Sequence, residues 1–196
     1  MASAPRSILV VINALGPGGA ERVATILANA WAERGDRVSV ATFTDPGTAP
    51  FFELDLRVQP IAMGVNGAPG PFLGRLGALG RNVARVRAIR RAIRESAATH
   101  VLSYMNVTNV LAIAGAAGTG VPVVATEHID PSQDDIGSLW TALRRLAYPH
   151  AARLAVLSER VLDYFPPDIR AKSVVVPNPV LPPPPAAPGA PTGPFA

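Results

Sequence analysis

The stretch from Ser7 to Phe43 leaves a chain like this few folds to adopt. Ser7-Ile-Leu-Val-Val-Ile-Asn13 is an unbroken apolar run. That is the mark of a strand buried on both faces, and such strands belong to parallel sheets. A glycine-rich turn follows, Ala14-Leu-Gly-Pro-Gly-Gly-Ala-Glu-Arg22. Beyond it Val23, Ile26, Leu27, Ala30 and Trp31 recur at i, i+3, i+4, i+7 and i+8, the spacing of one inward helix face. Gly35 supplies a stop. Asp36 to Phe43 alternates around Val38, Val40 and Ala41 as a second strand. Strand, crossover helix and strand make the first unit of a parallel α/β sheet.

The pattern continues along the chain. A third strand is predicted near Val58–Met63, after the turn Asp45-Pro46-Gly47. A long helix is predicted from about Phe72 to Ala97, with Leu76, Leu79, Val83, Val86, Ile89 and Ile93 at helical spacing. Arg81, Arg85, Arg87 and Arg91 fall mostly opposite that stripe, and Arg90 intrudes on it. His100–Tyr104, Val123–Thr126, Arg153–Leu157 and Lys172–Val176 read as four further strands. Helices are predicted at Asn106–Ala117, at Ile136–His150 with Leu139, Leu143, Leu146 and Ala147 inward, and at Glu159–Phe165 behind a Ser158 cap. The fold class is therefore α/β: a doubly wound, mainly parallel Rossmann-like sheet of six or seven strands over residues 1–180. Leu181 to Ala196 carries proline, alanine and glycine with no charge, and reads as a stiff, extended linker.

Composition excludes several classes of function. There is no cysteine, so disulfide frameworks, zinc–cysteine sites and cysteine nucleophiles are absent from these 196 residues. Val110 to Ala125, the longest weakly polar stretch, is broken by Gly115, Gly118, Gly120 and Pro122 and does not read as a membrane span. The net charge of +4 comes from 17 arginines and one lysine, Lys172, against 14 acidic residues. Such a surface fits phosphorylated ligands or an anionic membrane. No nucleic-acid module or aromatic interleaving accompanies it, so nucleic acid is not an expected partner. The arginine-rich helix reads either as a solvated face or as a contact with anionic headgroups.

In an open α/β sheet, ligands bind beyond the carboxyl ends of the strands. Four segments converge there: Gly16–Glu21, Tyr104–Asn109, Glu127–Pro131 and Ser158–Arg160. The glycine turn followed by a helix start makes an anion site, because unpaired N–H groups and bare backbone face the ligand. Gly16-Pro-Gly-Gly-Ala-Glu21 puts Glu where a dinucleotide fingerprint wants its last glycine, and no acidic residue ends the second strand. Both facts disfavour a nicotinamide cofactor. His128, between Glu127 and Asp130, can serve as acid, base or hydrogen-bond donor to a sugar or phosphate. It can equally be structural. The three histidines lack metal-ligand spacing, and no metal or cofactor is expected.

Gly16-Pro-Gly-Gly-Ala-Glu-Arg22, Leu102-Ser-Tyr-Met-Asn106, Val121-Pro-Val-Val-Ala-Thr-Glu-His-Ile-Asp-Pro131 and Val175-Val-Pro-Asn-Pro-Val180 occur in that order. Together they resemble the N-terminal, acceptor-side domain of a family 4 retaining glycosyltransferase of the GT-B fold. The nearest flavour is the bacterial enzymes that build polysaccharides and polyprenyl-diphosphate-linked glycans. That resemblance implies two Rossmann-like domains around a cleft, with a nucleotide-sugar as co-substrate and a glycan or lipid-linked acceptor. It implies Gly18 and Gly19 at the donor diphosphate, and Glu127 and His128 at the reacting sugar. It implies Glu21, Arg22, Asn106, Asn109 and Asp130 on the acceptor side. It also implies a place at the cytoplasmic face of a membrane, with peripheral contact to anionic lipid. The family's Glu-x7-Glu donor motif has no match, since glutamates stand only at 21, 33, 53, 95, 127 and 159. The donor-binding C-terminal domain is thus expected to be missing, residues 181–196 to be a linker toward it, and these residues alone to be inactive. The rival expectation is a non-catalytic Rossmann-like subunit that docks on a partner chain.

Overall fold

The computed structural model describes residues 6–66 and 74–179. Seven strands form one sheet: β1 (Ser7–Ile12), β2 (Arg37–Thr42), β3 (Gln59–Ala62), β4 (His100–Tyr104), β5 (Val123–Glu127), β6 (Arg153–Val156) and β7 (Ser173–Val175). Their order is β3-β2-β1-β4-β5-β6-β7, and every pair is parallel. The doubly wound α/β expectation therefore holds, with all seven strands present. The tail from 180 onward, and the predicted helix start at Phe72, lie outside the described residues.

The helices are α1 (Gly19–Glu33), α2 (Gly74–Glu95), α3 (Asn106–Ala116) and α4 (Ser138–Ala147), followed by two short ones, α5 (Glu159–Leu162) and α6 (Pro167–Arg170). A 3-10 turn, Tyr148–His150, follows α4, so the predicted single helix to His150 ends early. Proline at 149 cannot donate an N–H, which favours that tightening. The predicted helix at Glu159–Phe165 is likewise shorter, and α6 was not foreseen.

The two faces of the sheet are covered unequally. One carries Ile89 and Ile93 of α2, Leu111–Ile113 of α3, Tyr148, Phe165 and Ile169 in a single core. On the other, Ile8, Val10 and Ile12 of β1 and Val38 and Val40 of β2 pack against α1. The inward face of α1 differs from the predicted stripe. Ala24, Ala28 and Ala32 are buried with Val23, while Ala30 is exposed and Leu27 and Trp31 are only partly covered. Small side chains at i and i+4 let the helix seat close to the sheet, so alanine rather than leucine marks the contact.

A second close approach joins α2 to α3. A Cβ built on Gly115 would lie 2.8 Å from Ile89 Cγ2 and 3.2 Å from the Val86 carbonyl oxygen. Gly115→Ala is therefore expected to force the helices apart and to cost about 2 kcal/mol through overpacking. Urea unfolding of the variant measures it; an unchanged midpoint would contradict the packing described.

The α4 stripe also differs from expectation. Leu139 and Leu146 are 68% and 70% exposed, whereas Arg144 is only 2% exposed. One guanidinium nitrogen of Arg144 donates to the Tyr164 hydroxyl, and its carbon lies 4.8 Å over the Tyr164 ring. A hydrogen bond and a cation–π contact together account for an arginine turned inward.

Candidate functional site

The strand order reverses between β1 and β4: the chain leaves β1 toward β2, and β4 lies on the other side. That is the switch point at which doubly wound sheets open a crevice. The glycine turn after β1 and the Met105–Asn106 junction after β4 flank it, and the Glu127–Asp130 segment leaves neighbouring β5.

Gly18 is the N-cap of α1, and no side chain supplies a capping bond. The first turn bond runs from the Arg22 N–H to the Gly18 carbonyl, 3.0 Å. The N–H groups of Gly19, Ala20 and Glu21 precede it and have no helical partner. They stand at the positive end of a 15-residue helix. Gly19 faces open space, so a ligand can reach the backbone there. Gly18 does not: a Cβ on it would collide with a Glu21 carboxylate oxygen. Glu21 folds back over the turn, while Arg22 is exposed. Neither glycine has a positive φ, so these positions serve approach rather than turning.

At the end of β4, Met105 has φ +72° and ψ 147°, a conformation that costs a non-glycine residue about 1 kcal/mol or more. The twist starts α3 directly at Asn106. The Asn106 side chain donates to Asp134 and accepts the Val107 N–H at 2.6 Å, which ties the start of α3 to the loop after β5. It is half-buried, as is Asp130. Asp130 accepts from the Ser132 hydroxyl (2.7 Å) and N–H (2.9 Å), and these bonds lower its pKa.

Two expected site residues are turned inward. Asn109 is fully buried: it accepts from Ser103 Oγ at 2.7 Å and donates to the Thr126 carbonyl at 3.0 Å and to Tyr148 Oη at 3.1 Å. Nothing is left for an acceptor, which corrects its placement on the acceptor side. Glu127 is 3% exposed and accepts the Tyr148 hydroxyl. Burial pushes its carboxyl up to about 7, and the Tyr148 bond and nearby Arg144 only partly oppose this. Glu127 nevertheless lines the apolar groove beside His128, with its carboxyl held by Tyr148.

His128 is half-buried and stacks on Tyr104, ring centroids 5.0 Å apart at 21°. Burial lowers its pKa against the opposing pull of Asn178, which leaves a neutral ring at pH 7. Its Nδ1 and the Tyr104 hydroxyl have no partner among the described residues. Both line an apolar groove of about 360 Å3 with Leu27, Trp31 and Asn178. Ser158 is the N-cap of α5 by position but makes no side-chain bond. Among the described residues no cluster of three His, Asp or Glu side chains could hold a metal.

A second hollow, about 580 Å3, went unforeseen. It lies beside the glycine turn, between Gly16 and Pro17 and the ends of β2 and β3. Thr42, Thr44, Thr48 and Phe51 line it, and the first two hydroxyls are 2.6 Å apart. The sequence signal was faint: threonines at a strand end before Asp45-Pro46-Gly47.

The family model "Glycosyltransferase Family 4" matches residues 17–182. A curated Campylobacter jejuni protein is 28% identical over 158 residues, which is 81% of this chain and 42% of the relative. It is an α-1,4-N-acetyl-D-galactosaminyltransferase acting on a GalNAc-containing diNAcBac-PP-undecaprenol. Among solved structures, sucrose-phosphate synthase from Thermosynechococcus elongatus superposes with a TM-score of 0.65 at 14% identity, covering 88% of this chain and 48% of that one. The lipopolysaccharide outer core galactosyltransferase WaaB gives 0.61 at 13%, covering 88% and 46%. The chain thus spans less than half the length of these relatives. Its all-parallel sheet, its switch-point turn and the family match over residues 17–182 agree, and the chain belongs to glycosyltransferase family 4.

Proposed function

We propose that this chain is the acceptor-side half of a transferase that moves a sugar from a nucleotide-sugar to a glycan or polyprenyl-diphosphate-linked acceptor. One observation carries the reading: the uncapped start of α1 opens at the switch point, beside the β4–α3 junction. Free N–H groups there attract a diphosphate. Half-buried Asn106 and Asp130 offer polar edges to a sugar. His128 presents a neutral ring to the groove beside the β5 end, where it borders the acceptor. Glu127 supports the strand end beneath it.

Family membership and the lipid-linked substrate of the Campylobacter relative support the acceptor class. The donor pocket and its cations are assigned to a second lobe, whose closure excludes water and completes the site. Developing charge on the leaving diphosphate is stabilised by the N–H groups after Gly18. The working place is the inner face of a membrane.

Calorimetric titration tests this. A short-chain prenyl-diphosphate-linked N-acetylhexosamine should bind the 196-residue chain saturably, and a nucleotide-sugar should give no saturable heat. Incubating both with the chain should yield no product. Saturable donor binding with a silent acceptor, or turnover, overturns the proposal.

A further inference from the structure

The hollow beside the glycine turn has no part in the function proposed above. It opens where Thr42 of β2 and Pro60 and Ala62 of β3 meet Gly16 and Pro17. No charged side chain among the described residues lines it. Thr42 and Thr44 are 7% and 9% exposed, and among the described residues their hydroxyls bond only to each other. Two hydroxyls carry two protons, and the bond between them uses one. The second proton has no acceptor there, and a buried donor without one is costly. Phe51 also lines the hollow and is 65% exposed. Its N–H donates to the Leu15 carbonyl at 2.8 Å. The Asn29 side chain of α1 donates to the Glu53 carbonyl at 3.0 Å and accepts the Asp55 N–H at 2.9 Å. The loop that carries Phe51 is thus tied to the glycine turn and to α1, so little ordering remains to be done when a ligand arrives.

We propose that this hollow is a subsite for a neutral pyranose, a sugar of the acceptor glycan beyond the one at Asn106 and Asp130. The lack of charge disfavours a phosphate or a carboxylate. A wholly apolar ligand would leave the spare threonine proton unpaired. A sugar ring answers both surfaces: its C–H face covers Phe51, and a ring substituent oxygen accepts the proton. Reach agrees with this. The β2 and β3 ends stand two and three strands from the β4 end, about 10–14 Å away. A single sugar at Asn106 does not span that distance, whereas a di- or trisaccharide does. The hollow therefore reads how long the acceptor glycan already is.

This inference rests on the acceptor reading proposed above and names what the far end of that acceptor touches. Calorimetry compares a farnesyl-diphosphate-linked N-acetylhexosamine with its disaccharide homologue on the 196-residue chain. The disaccharide should bind about tenfold more tightly, the worth of one hydrogen bond and one covered aromatic face. Phe51→Ala and the combined T42V and T44V variant should each cut that gain by at least about threefold. Phe51 is exposed, and removing both partners of a hydrogen bond at constant shape is nearly neutral, so both variants should fold. Amide shifts give a second reading: the disaccharide should move Thr44, Thr48 and Phe51 together with Asn106, and the monosaccharide should move Asn106 without them. Equal affinities for the two compounds, or a gain that survives both variants, overturn this inference alone. Shifts of Thr44 and Phe51 with farnesyl diphosphate also overturn it, because the prenyl chain would then fill the hollow. If neither compound binds, the acceptor reading falls and this inference falls with it.

Discussion

Glu127→Gln is expected to stabilise the chain at pH 8 by up to about 3 kcal/mol and to flatten its stability between pH 5 and pH 8. Burial holds the folded carboxyl near 7, above its ordinary 4.5. Above 4.5 the unfolded state ionises first. The contribution of Glu127 to stability is therefore full below 4.5 and is lost as pH rises through 7, where the folded group must ionise without water. The substituted amide cannot ionise, yet its oxygen can still accept the Tyr148 hydroxyl that Glu127 holds. Thermal melts across the pH range read the effect as roughly 6–12 °C at pH 8. A variant less stable than wild type at pH 8 would contradict this account of the buried acid.

Asn109→Ala should cost about 3–4 kcal/mol at any pH. The asparagine joins Ser103 on β4, Thr126 on β5 and Tyr148 after α4, all buried. Its loss orphans a hydroxyl, a carbonyl and part of a phenol, and it leaves a cavity. Because Tyr148 links the two sites, the N109A and E127Q effects should fail to add by about 0.5 kcal/mol or more. Urea midpoints of the singles and the double read the coupling. A cost below about 1 kcal/mol for N109A would show that water replaces the amide and that the network is not structural.

These two residues also show how far the sequence could be read. The Ser7–Asn13 run, the glycine turn and the recurring strand signals define the sheet, because a parallel sheet writes its strands as local apolar runs. Polar residues that follow a strand are also visible locally, and the family resemblance put Asn109, in the first turn of α3, and Glu127, at the end of β5, at the site. What turns them inward is Tyr148, 39 and 21 positions away, and nothing in the neighbouring residues announces it. The error on α4 has the same origin. Leu139, Leu143 and Leu146 carry the period of a buried stripe, but the helix is rotated by Arg144 finding Tyr164. Alanine at 24, 28 and 32 was overlooked on α1 because burial there is set by close approach rather than by side-chain size. Gly19 and Asn106 stand at the carboxyl ends of β1 and β4, beside the switch point, because strand order alone sets those positions.

Amide chemical-shift mapping tests the central claim most directly. Titrating the isotopically labelled chain with the soluble prenyl-diphosphate-linked sugar should move the amides of Asn106 and Asp130 together, with one dissociation constant. Shifts confined to the groove beside Trp31, or to the Thr44–Phe51 hollow, with Asn106 and Asp130 silent would place the acceptor elsewhere and contradict it.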